Sequence, residues 1–269
     1  MNLLNISLKN IIMNNPNIYL ERMSKAIEDK LWFTKFLNLK EFEDVVVYDL
    51  GCADGELIRH LAPIYPNRTF IGLDISPDMI SLAKQRQQFP NEKYLYVDDD
   101  IEEVNKTKFL IMSSVLHEII SYRGSMSIEL ALHVAGIDKI DPDYIFLRDM
   151  MPGESINRYS RKGDIERAKS VYGSLVTSFE NSHGSLEIQR NLVHFLIKSR
   201  YKDNWNSELE ENYFPINIED IEKYFPDYQV IYKKHYILPY IQDKILEETG
   251  IEIRDKTHVN IILKRKKRV

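Results

Sequence analysis

The chain has 269 residues, of which 43% are hydrophobic and 29% charged, a globular composition that excludes an intrinsically disordered chain. Its apolar runs are shorter than the roughly 20 residues of a membrane-spanning helix, and its net charge of −5 argues against broad nucleic-acid binding. The single cysteine, Cys52, excludes a disulfide framework within the chain and favours a reducing compartment. The N-terminal stretch lacks the features of a signal peptide, so we predict a cytoplasmic protein without membrane attachment.

The first predicted element is an amphipathic helix over residues 17–37, in which apolar side chains recur at helical spacing. Short β-branched or apolar runs then alternate with helical segments. They predict strands at 45–50, 69–73, 94–97, 109–112 and 144–147. They also predict helices at 54–65 and 76–88, and one or two more helices between the fourth strand and about residue 137. This alternation predicts right-handed βαβ units and a parallel sheet.

After the fifth strand the regular alternation stops. The remaining patterns predict helices at 168–179, 186–201, 217–224 and 240–248, and strands at 228–232 and 258–263. We therefore predict an N-terminal helical extension at 1–40 and one domain at 41–269. Its fold class is Rossmann-like α/β, with a mostly parallel seven-stranded sheet, helices on both faces, and a helical insertion at 151–215, hereafter the cap.

A glycine-rich loop, DLGCADG at residues 49–55, joins the first strand directly to a helix. Gly51 can adopt a backbone conformation closed to other residues, so the chain can turn tightly beside a ligand at the carboxyl ends of the strands. NAD-binding proteins use a similar loop. However, the flanking acids Asp49 and Asp54 suit a cationic ligand and would repel a pyrophosphate. Asp74, at the tip of the second strand, can accept hydrogen bonds from two ribose hydroxyls, whether of NAD or of another nucleoside.

The run VVVYDLGCADGELIRHL followed by FIGLDIS resembles the glycine-rich motif and ribose-binding acid of class I S-adenosylmethionine-dependent methyltransferases. The resemblance covers about residues 43–150 and implies that S-adenosylmethionine is the cofactor. It places the methionine portion of the cofactor near the glycine-rich loop, the ribose on Asp74 and an apolar wall for the adenine at Ile75. The residues predicted to contact the cofactor are Asp49, Gly51, Cys52, Ala53, Gly55, Asp74, Ile75, Asp98, Asp99 and Ser113.

Ala53 stands where many members of the family have glycine. The resemblance places the acid that contacts the adenine amino group at the tip of the third strand, where we favour Asp99 over Asp98.

Four residues are candidates for catalysis. His117 and Glu118 follow the fourth strand, where the resemblance places the transferred methyl group. His117 could be a general base, because histidine ordinarily titrates near neutrality, and Glu118 could orient it or replace it. Alternatively, His117 only caps the strand and packs beneath the cofactor. Methyl transfer does not require a general base, since it can proceed by alignment and desolvation alone. Arg148 and Asp149 end the fifth strand, where they could contact the acceptor or pair with each other or with nearby backbone.

The methyl acceptor is the least determined part of the prediction. The position of the cap and the negative net charge favour a small molecule with an O, N or C nucleophile. The basic tail KRKKRV and the Arg- and Tyr-rich cap leave RNA or a nucleotide as an alternative. A non-catalytic cofactor-binding or interaction protein is the alternative of another class. The histidines show no metal-ligand spacing, so we predict no metal site, and the oligomeric state is left open.

Overall fold

The computed structural model describes residues 27–267. The predicted helix at 17–37 and the basic tail therefore lie partly outside the described residues. Short helices open the described part, α1 (Ile27–Lys30) and α2 (Thr34–Leu37), with 3-10 turns at Leu31–Phe33 and Lys40–Phe42. They precede the sheet and lie against one of its faces, since Phe33 and Leu37 belong to the apolar core on that side.

Seven strands follow in the chain. They are β1 (Val45–Leu50), β2 (Thr69–Asp74), β3 (Glu92–Tyr96), β4 (Thr107–Ser113), β5 (Tyr144–Met150), β6 (Tyr228–Tyr236) and β7 (His258–Arg265). They form one sheet in the order β3-β2-β1-β4-β5-β7-β6, in which β1 to β5 are parallel. The last strand, β7, runs antiparallel to both β5 and β6. The order reverses between β1 and β4, which is where open α/β sheets bind ligands.

The remaining helices connect these strands. They are α3 (Glu56–Leu61), α4 (Pro77–Arg86), α5 (Leu116–Ser121), α6 (Ile128–Val134), α7 (Ile137–Ile140), α8 (Lys162–Tyr172), α9 (Ser174–His183), α10 (Gln189–Lys198), α11 (Trp205–Glu210), α12 (Ile221–Tyr224) and α13 (Pro239–Thr249). Helices cover both faces of the sheet, so the predicted Rossmann-like α/β fold with a mostly parallel seven-stranded sheet is confirmed.

Each face of the sheet has its own apolar core, because side chains alternate along a strand. On β5, Ile145 and Leu147 pack on the side of α5, α6 and α7, whereas Phe146 packs on the side of α1 to α4. This alternation also decides the direction of the two charged residues that follow. Arg148 continues the face of Phe146, and Asp149 continues the face of Leu147.

The cap has a separate apolar core. Helices α8 to α11 bury side chains such as Phe179 and Phe195 against one another and against Ile241 and Ile245 of α13. The predicted single helix at 168–179 is wrong: α8 ends at Tyr172 and α9 begins at Ser174. The break is at Gly173, whose φ of +51° and ψ of −118° are not helical. None of the helices in residues 27–267 is long and apolar enough to cross a membrane.

Candidate active site

The glycine-rich loop makes a tight turn at the carboxyl end of β1. Gly51 and Gly55 have φ of +75° and +80°, in the left-handed region that favours glycine. A Cβ on Gly51 would lie 2.7 Å from Cγ2 of Val115, and one on Gly55 would lie 2.5 Å from Cε1 of Tyr94. Ala53 has a φ of +47°, so it adopts a conformation that glycine adopts more easily. The loop therefore requires glycine at two positions for both backbone and packing reasons.

Asp74 ends β2 beside this loop. Its Oδ2 accepts a hydrogen bond from the backbone N–H of Ala53 at 2.9 Å, and its Oδ1 accepts one from Ser76 at 2.8 Å. Burial raises the pKa of the carboxyl, and these hydrogen bonds, which lower that pKa, offset the effect only in part. The backbone N–H of Ile75 also interacts with this carboxylate. A carboxylate has about four acceptor positions, so Asp74 both fixes the loop and retains acceptor capacity for a hydroxyl group, which fits the ribose of a nucleoside cofactor.

The two acids that flank the glycines have different surroundings. Asp49 is 4% exposed, and burial raises its pKa to about 7, opposed by the positive charge of Lys30 on α1. Asp54 instead pairs with Arg59, at 3.0 Å, and with Arg86. The two arginines thus neutralise the negative charge of Asp54. Of the two acids, only Asp49 has no arginine partner among the described residues.

Other predicted cofactor contacts lie around the tips of the first strands. Cys52 is a buried free thiol that packs against Gly72, where an added Cβ would lie 2.8 Å from its Sγ. Ile75 is partly buried against the core on the α5 side. Ser113 ends β4, and its buried Oγ has no hydrogen-bond partner among residues 27–267. The structure therefore brings these positions to the same edge of the sheet as the loop.

Asp98 and Asp99 follow β3 and are exposed. The Asp99 Oδ2 accepts a hydrogen bond from the backbone N–H of Tyr96 at 3.0 Å, so this side chain caps the turn. Lys139 donates to the carbonyl oxygens of both aspartates. The tips of β2 and β3 are adjacent, since Asp74 pairs with Tyr96, which places Asp98 and Asp99 near the ribose-binding candidate.

His117 and Asp149 form a buried pair on the α5 side of the sheet. The Nδ1 of His117 lies 2.6 Å from Oδ1 of Asp149, and the two side chains are 5% and 1% exposed. The same carboxylate accepts backbone hydrogen bonds from Leu116 at 2.8 Å, from His117 at 3.2 Å and from Met150 at 2.7 Å. Burial lowers the pKa of His117, but the charge and hydrogen bond of Asp149 outweigh it and raise that pKa to about 9. Asp149 therefore orients the imidazole and stabilises its protonated form.

A short segment of the cap covers this pair. The Oε2 of Glu211 lies 3.8 Å from Nε2 of His117, and the Tyr213 ring meets the imidazole edge-on with centroids 5.4 Å apart. Tyr122 donates a hydrogen bond to Oε1 of Glu211 at 3.2 Å. Glu118 is also close: burial raises its pKa to about 8, and the charge of Glu211 adds to this effect. Carboxylates thus surround the imidazole.

Arg148 lies on the opposite face and contacts the N-terminal helix. Its Nε donates to Oδ2 of Asp29 at 2.6 Å, and its Nη1 donates to Oγ of Ser114 at 2.6 Å. Tyr236 donates to the same aspartate at 3.3 Å. The interpretation that Arg148 and Asp149 pair with each other is wrong, because consecutive strand residues point to opposite faces.

Several basic residues of the cap are engaged within the protein. Arg158 pairs with Asp255 at 2.8 Å, and Arg190 donates to Oδ1 of Asn217 at 2.6 Å. His194 is 3% exposed and Trp205 is 8% exposed, so both are core residues of the cap. The predicted interleaving of aromatic and basic side chains is therefore mostly an internal packing pattern.

The described part of the basic tail is similarly occupied. Arg265 belongs to β7 and pairs with Asp141, and Lys266 donates to the carbonyl oxygen of Pro226 at 2.7 Å. Residues 268 and 269 lie outside the described part of the chain. Within residues 27–267, no group of three or more His, Cys, Asp or Glu side chains has the arrangement of a metal site.

The sequence prediction missed Asp29 and Glu211. Each approaches a predicted site residue from a segment more than 90 positions away in the chain, since Asp29 meets Arg148 and Glu211 meets His117. Neither residue lies in a motif. No local signal in the sequence identifies them.

Comparison with known proteins supports the family resemblance in one part of the chain. Residues 47–135 match the family model described as a methyltransferase domain. This match runs from β1 to the end of α6, and it contains the glycine-rich loop, Asp74 and His117. A search of curated proteins found no match to the sequence.

The chain is similar to several solved structures, among them a SAM-dependent methyltransferase from Anabaena variabilis. That protein is 18% identical with a TM-score of 0.49, and the match covers 90% of this chain and 85% of that one. The MccD protein is 12% identical with a TM-score of 0.48, and the match covers 88% of this chain and 96% of that one. PKMT2 from Rickettsia typhi, solved in complex with AdoHcy, is 14% identical with a TM-score of 0.44, and the coverages are 84% and 50%.

Proposed function

We propose that this chain, which carries a class I S-adenosylmethionine-dependent methyltransferase domain, transfers a methyl group to a small-molecule acceptor bound between the sheet edge and the cap. The observation that carries the proposal is the buried pair of His117 and Asp149. It lies at the carboxyl ends of β4 and β5, next to the strand that leads into the glycine-rich loop. The imidazole supports the proposal because the described hydrogen bonds of His117 go to Asp149 and Ser121, and none of them goes to the glycine-rich loop.

The residues around the loop would hold the cofactor. Asp74 has acceptor capacity left for the ribose hydroxyls beyond its bonds to the loop. Asp49 would place its carboxylate near the cationic methionine portion of the cofactor, and Ile75 would provide an apolar surface for the adenine. Asp99 and Asp98 remain the candidates for the adenine amino group.

S-adenosylmethionine supplies an electrophilic methyl group on sulfonium when it is bound. For an acceptor with an O–H or N–H nucleophile, we assign His117 Nε2 as the site that receives the acceptor proton. Asp149 then stabilises the imidazolium that results. Because the pKa of His117 is raised to about 9, only a small fraction of the imidazole is neutral at pH 7, and we expect the rate to rise with pH up to about 9. Glu118, with its raised pKa, is the second candidate for this role.

The charge around His117 supports a neutral or cationic small molecule as the acceptor. Asp149 and Glu211 lie beside the imidazole, and their carboxylates would repel a phosphate group, whereas the raised pKa of Glu118 leaves that side chain largely protonated at neutral pH. The engaged arginines of the cap also leave fewer cations for RNA. RNA remains the alternative acceptor that the experiment below decides.

The test of this function is the transfer of a labelled methyl group from S-adenosylmethionine into separated metabolite, RNA and protein fractions. We expect label in the metabolite fraction, and we expect the His117→Gln variant to lose it while binding the cofactor normally. Label confined to RNA would overturn the small-molecule acceptor. Cofactor binding without any transfer would favour the non-catalytic alternative.

Substitution of Asp74 tests the cofactor site separately. We expect Asp74→Ala to weaken S-adenosylmethionine binding by at least about 100-fold, because two hydrogen bonds to a charged acceptor are lost, each of about 1.5–3 kcal/mol. Calorimetry with S-adenosylmethionine and S-adenosylhomocysteine measures this. Asp78→Ala, on the exposed first turn of α4, is the matched control and should bind normally. Binding by Asp74→Ala within threefold of the wild type would show that the ribose lies elsewhere.

We infer that residues 41–269 form the catalytic domain, that residues 151–215 are its cap and that residues 1–40 are an extension. The cap and α13 share an apolar core that is distinct from the two cores of the sheet, which supports a separate structural layer at the cap. We also propose a cytoplasmic location, which the buried free Cys52 supports.

A further inference from the structure

The Nε2 edge of His117 faces the cap rather than the sheet. Asp149 on β5 occupies the Nδ1 edge at 2.6 Å, and Glu211 lies at the Nε2 edge at 3.8 Å. The second distance exceeds a hydrogen bond but is short enough for a strong charge interaction. His117 is therefore flanked by two carboxylates that come from different parts of the fold.

Glu211 is itself held in place by neighbouring contacts. Tyr122, just after α5, donates to its Oε1 at 3.2 Å. The next residue, Asn212, donates its backbone N–H to Oγ of Ser121 at 2.7 Å, and this hydroxyl donates to the carbonyl oxygen of His117 at 2.7 Å. Glu211 is 9% exposed, so its carboxylate is largely removed from water. The cap segment is thus docked on the same helix that carries His117.

Further groups link this segment to the core of the cap. Tyr213 donates from its hydroxyl to Glu208, and its ring lies 3.8 Å from Nζ of the buried Lys198. The backbone N–H of Tyr213 donates to Nε2 of His194 at 3.2 Å. These contacts fix the segment from the side opposite to α5. The titratable groups that surround His117 are Glu118 and Tyr122 near α5, Asp149 on β5, His258 on β7, and His194, Lys198, Glu208, Glu211 and Tyr213 of the cap.

We propose that Glu211 is a positioning residue, which acts through His117: from the cap its charge acts on the Nε2 side of the imidazole without a hydrogen bond to Nε2, while Asp149 holds the Nδ1 edge. This inference rests on the proposed function, in which His117 receives the acceptor proton. It means that the sheet alone does not set the state of the proposed base. Docking of the cap on α5 adds the charge of Glu211 to that of Asp149, and both charges favour the protonated imidazole.

The test is the titration of His117 by NMR in the full chain labelled at histidine, with His117→Gln to assign the resonance. In Glu211→Gln, we expect the pKa of His117 to fall by about one pH unit, because a carboxylate at under 4 Å is removed while the shape of the side chain is kept. Glu210→Gln removes an exposed neighbouring charge and is the matched control. Glu211→Asp keeps the charge and should keep most of the raised pKa.

The pH dependence of methyl transfer is the second readout. In Glu211→Gln, the rising limb should move to lower pH by a similar amount, which a purely structural role of Glu211 would not produce. An unchanged pKa of His117, or an equal change in Glu210→Gln, would overturn the inference. If Glu211→Gln does not fold, Tyr122→Phe releases one end of Glu211, and an unchanged pKa of His117 in that variant would also count against it. Absence of any transfer by the wild type would refute the proposed function, whereas the titration would still decide the role of Glu211.

Discussion

Replacement of Asp149 by Asn should reduce methyl transfer by at least about 100-fold above pH 9, where most of the wild-type His117 imidazole is neutral, and should also destabilise the fold. The first effect follows from the position of the carboxylate beside His117, since an oriented general base contributes about 10²–10⁴-fold to a rate. An Asn amide at this position can neither stabilise the imidazolium by charge nor fix the ring with the same tautomer.

The effect on stability comes from the donors that Asp149 accepts. Three backbone N–H groups, of Leu116, His117 and Met150, and Nδ1 of His117 all point at its two oxygens. An Asn has one acceptor oxygen, so its NH₂ group must face at least one of these donors. Each buried donor left without a partner costs about 1–3 kcal/mol. We expect a loss of about 2–4 kcal/mol in the free energy of unfolding.

Urea denaturation and initial rates separate these two effects. Asp143→Asn is the matched control, because Asp143 accepts a hydrogen bond from the backbone N–H of Lys108 at 2.8 Å at the other end of the parallel strands. It should lose stability without losing transfer once the folded fraction is taken into account. S-adenosylmethionine affinity should stay within threefold of the wild type in folded Asp149→Asn. Wild-type rates in that variant would refute the role of the pair.

The parts of the site that the sequence predicts are those encoded locally. The positions of Gly51 and Gly55 and the acid at the end of β2 lie within one βαβ unit. The backbone demands of that unit are therefore visible in about 30 consecutive residues. The buried strands are equally readable from their apolar runs. Their ends are less so: β4 and β5 continue through Ser113 and Met150, because polar residues at strand tips still pair with their neighbours.

The parts that the sequence does not predict depend on contacts between distant segments. Glu211 and Asp29 reach the site only because the cap and α1 pack on opposite faces of the sheet. Nothing in their local sequence distinguishes them from exposed acids. The opposite directions of Arg148 and Asp149, by contrast, follow from the two-residue period of a strand and were accessible to sequence reasoning. The break at Gly173 was only partly predictable. A glycine inside a helical pattern indicates a possible helix end, but the apolar periodicity on both sides of it favoured one continuous helix.

Replacement of Arg148 by Met should destabilise the protein by about 2–4 kcal/mol, because it leaves the carboxylate of Asp29 with only the weaker contact of Tyr236 among the hydrogen bonds described. The side chain of Arg148 is 7% exposed and that of Asp29 is 29% exposed, so the charge left behind is only partly hydrated. The substitution also removes the hydrogen bond to Oγ of Ser114, whose φ of +61° is unfavourable for a residue with a Cβ.

A double-mutant cycle with Asp29→Asn measures this interaction directly. Asn is neutral, so the double variant Asp29→Asn/Arg148→Met leaves no buried charge and should regain at least half of the lost stability. Arg158→Met is the matched control: its pair with Asp255 is half-exposed, and surface pairs contribute at most about 1 kcal/mol. A stable Arg148→Met variant with a raised KM for the acceptor would instead show that Arg148 contacts the substrate. The expected result is a lower unfolding free energy with an unchanged KM in the folded fraction, because α1 lies between this arginine and solvent.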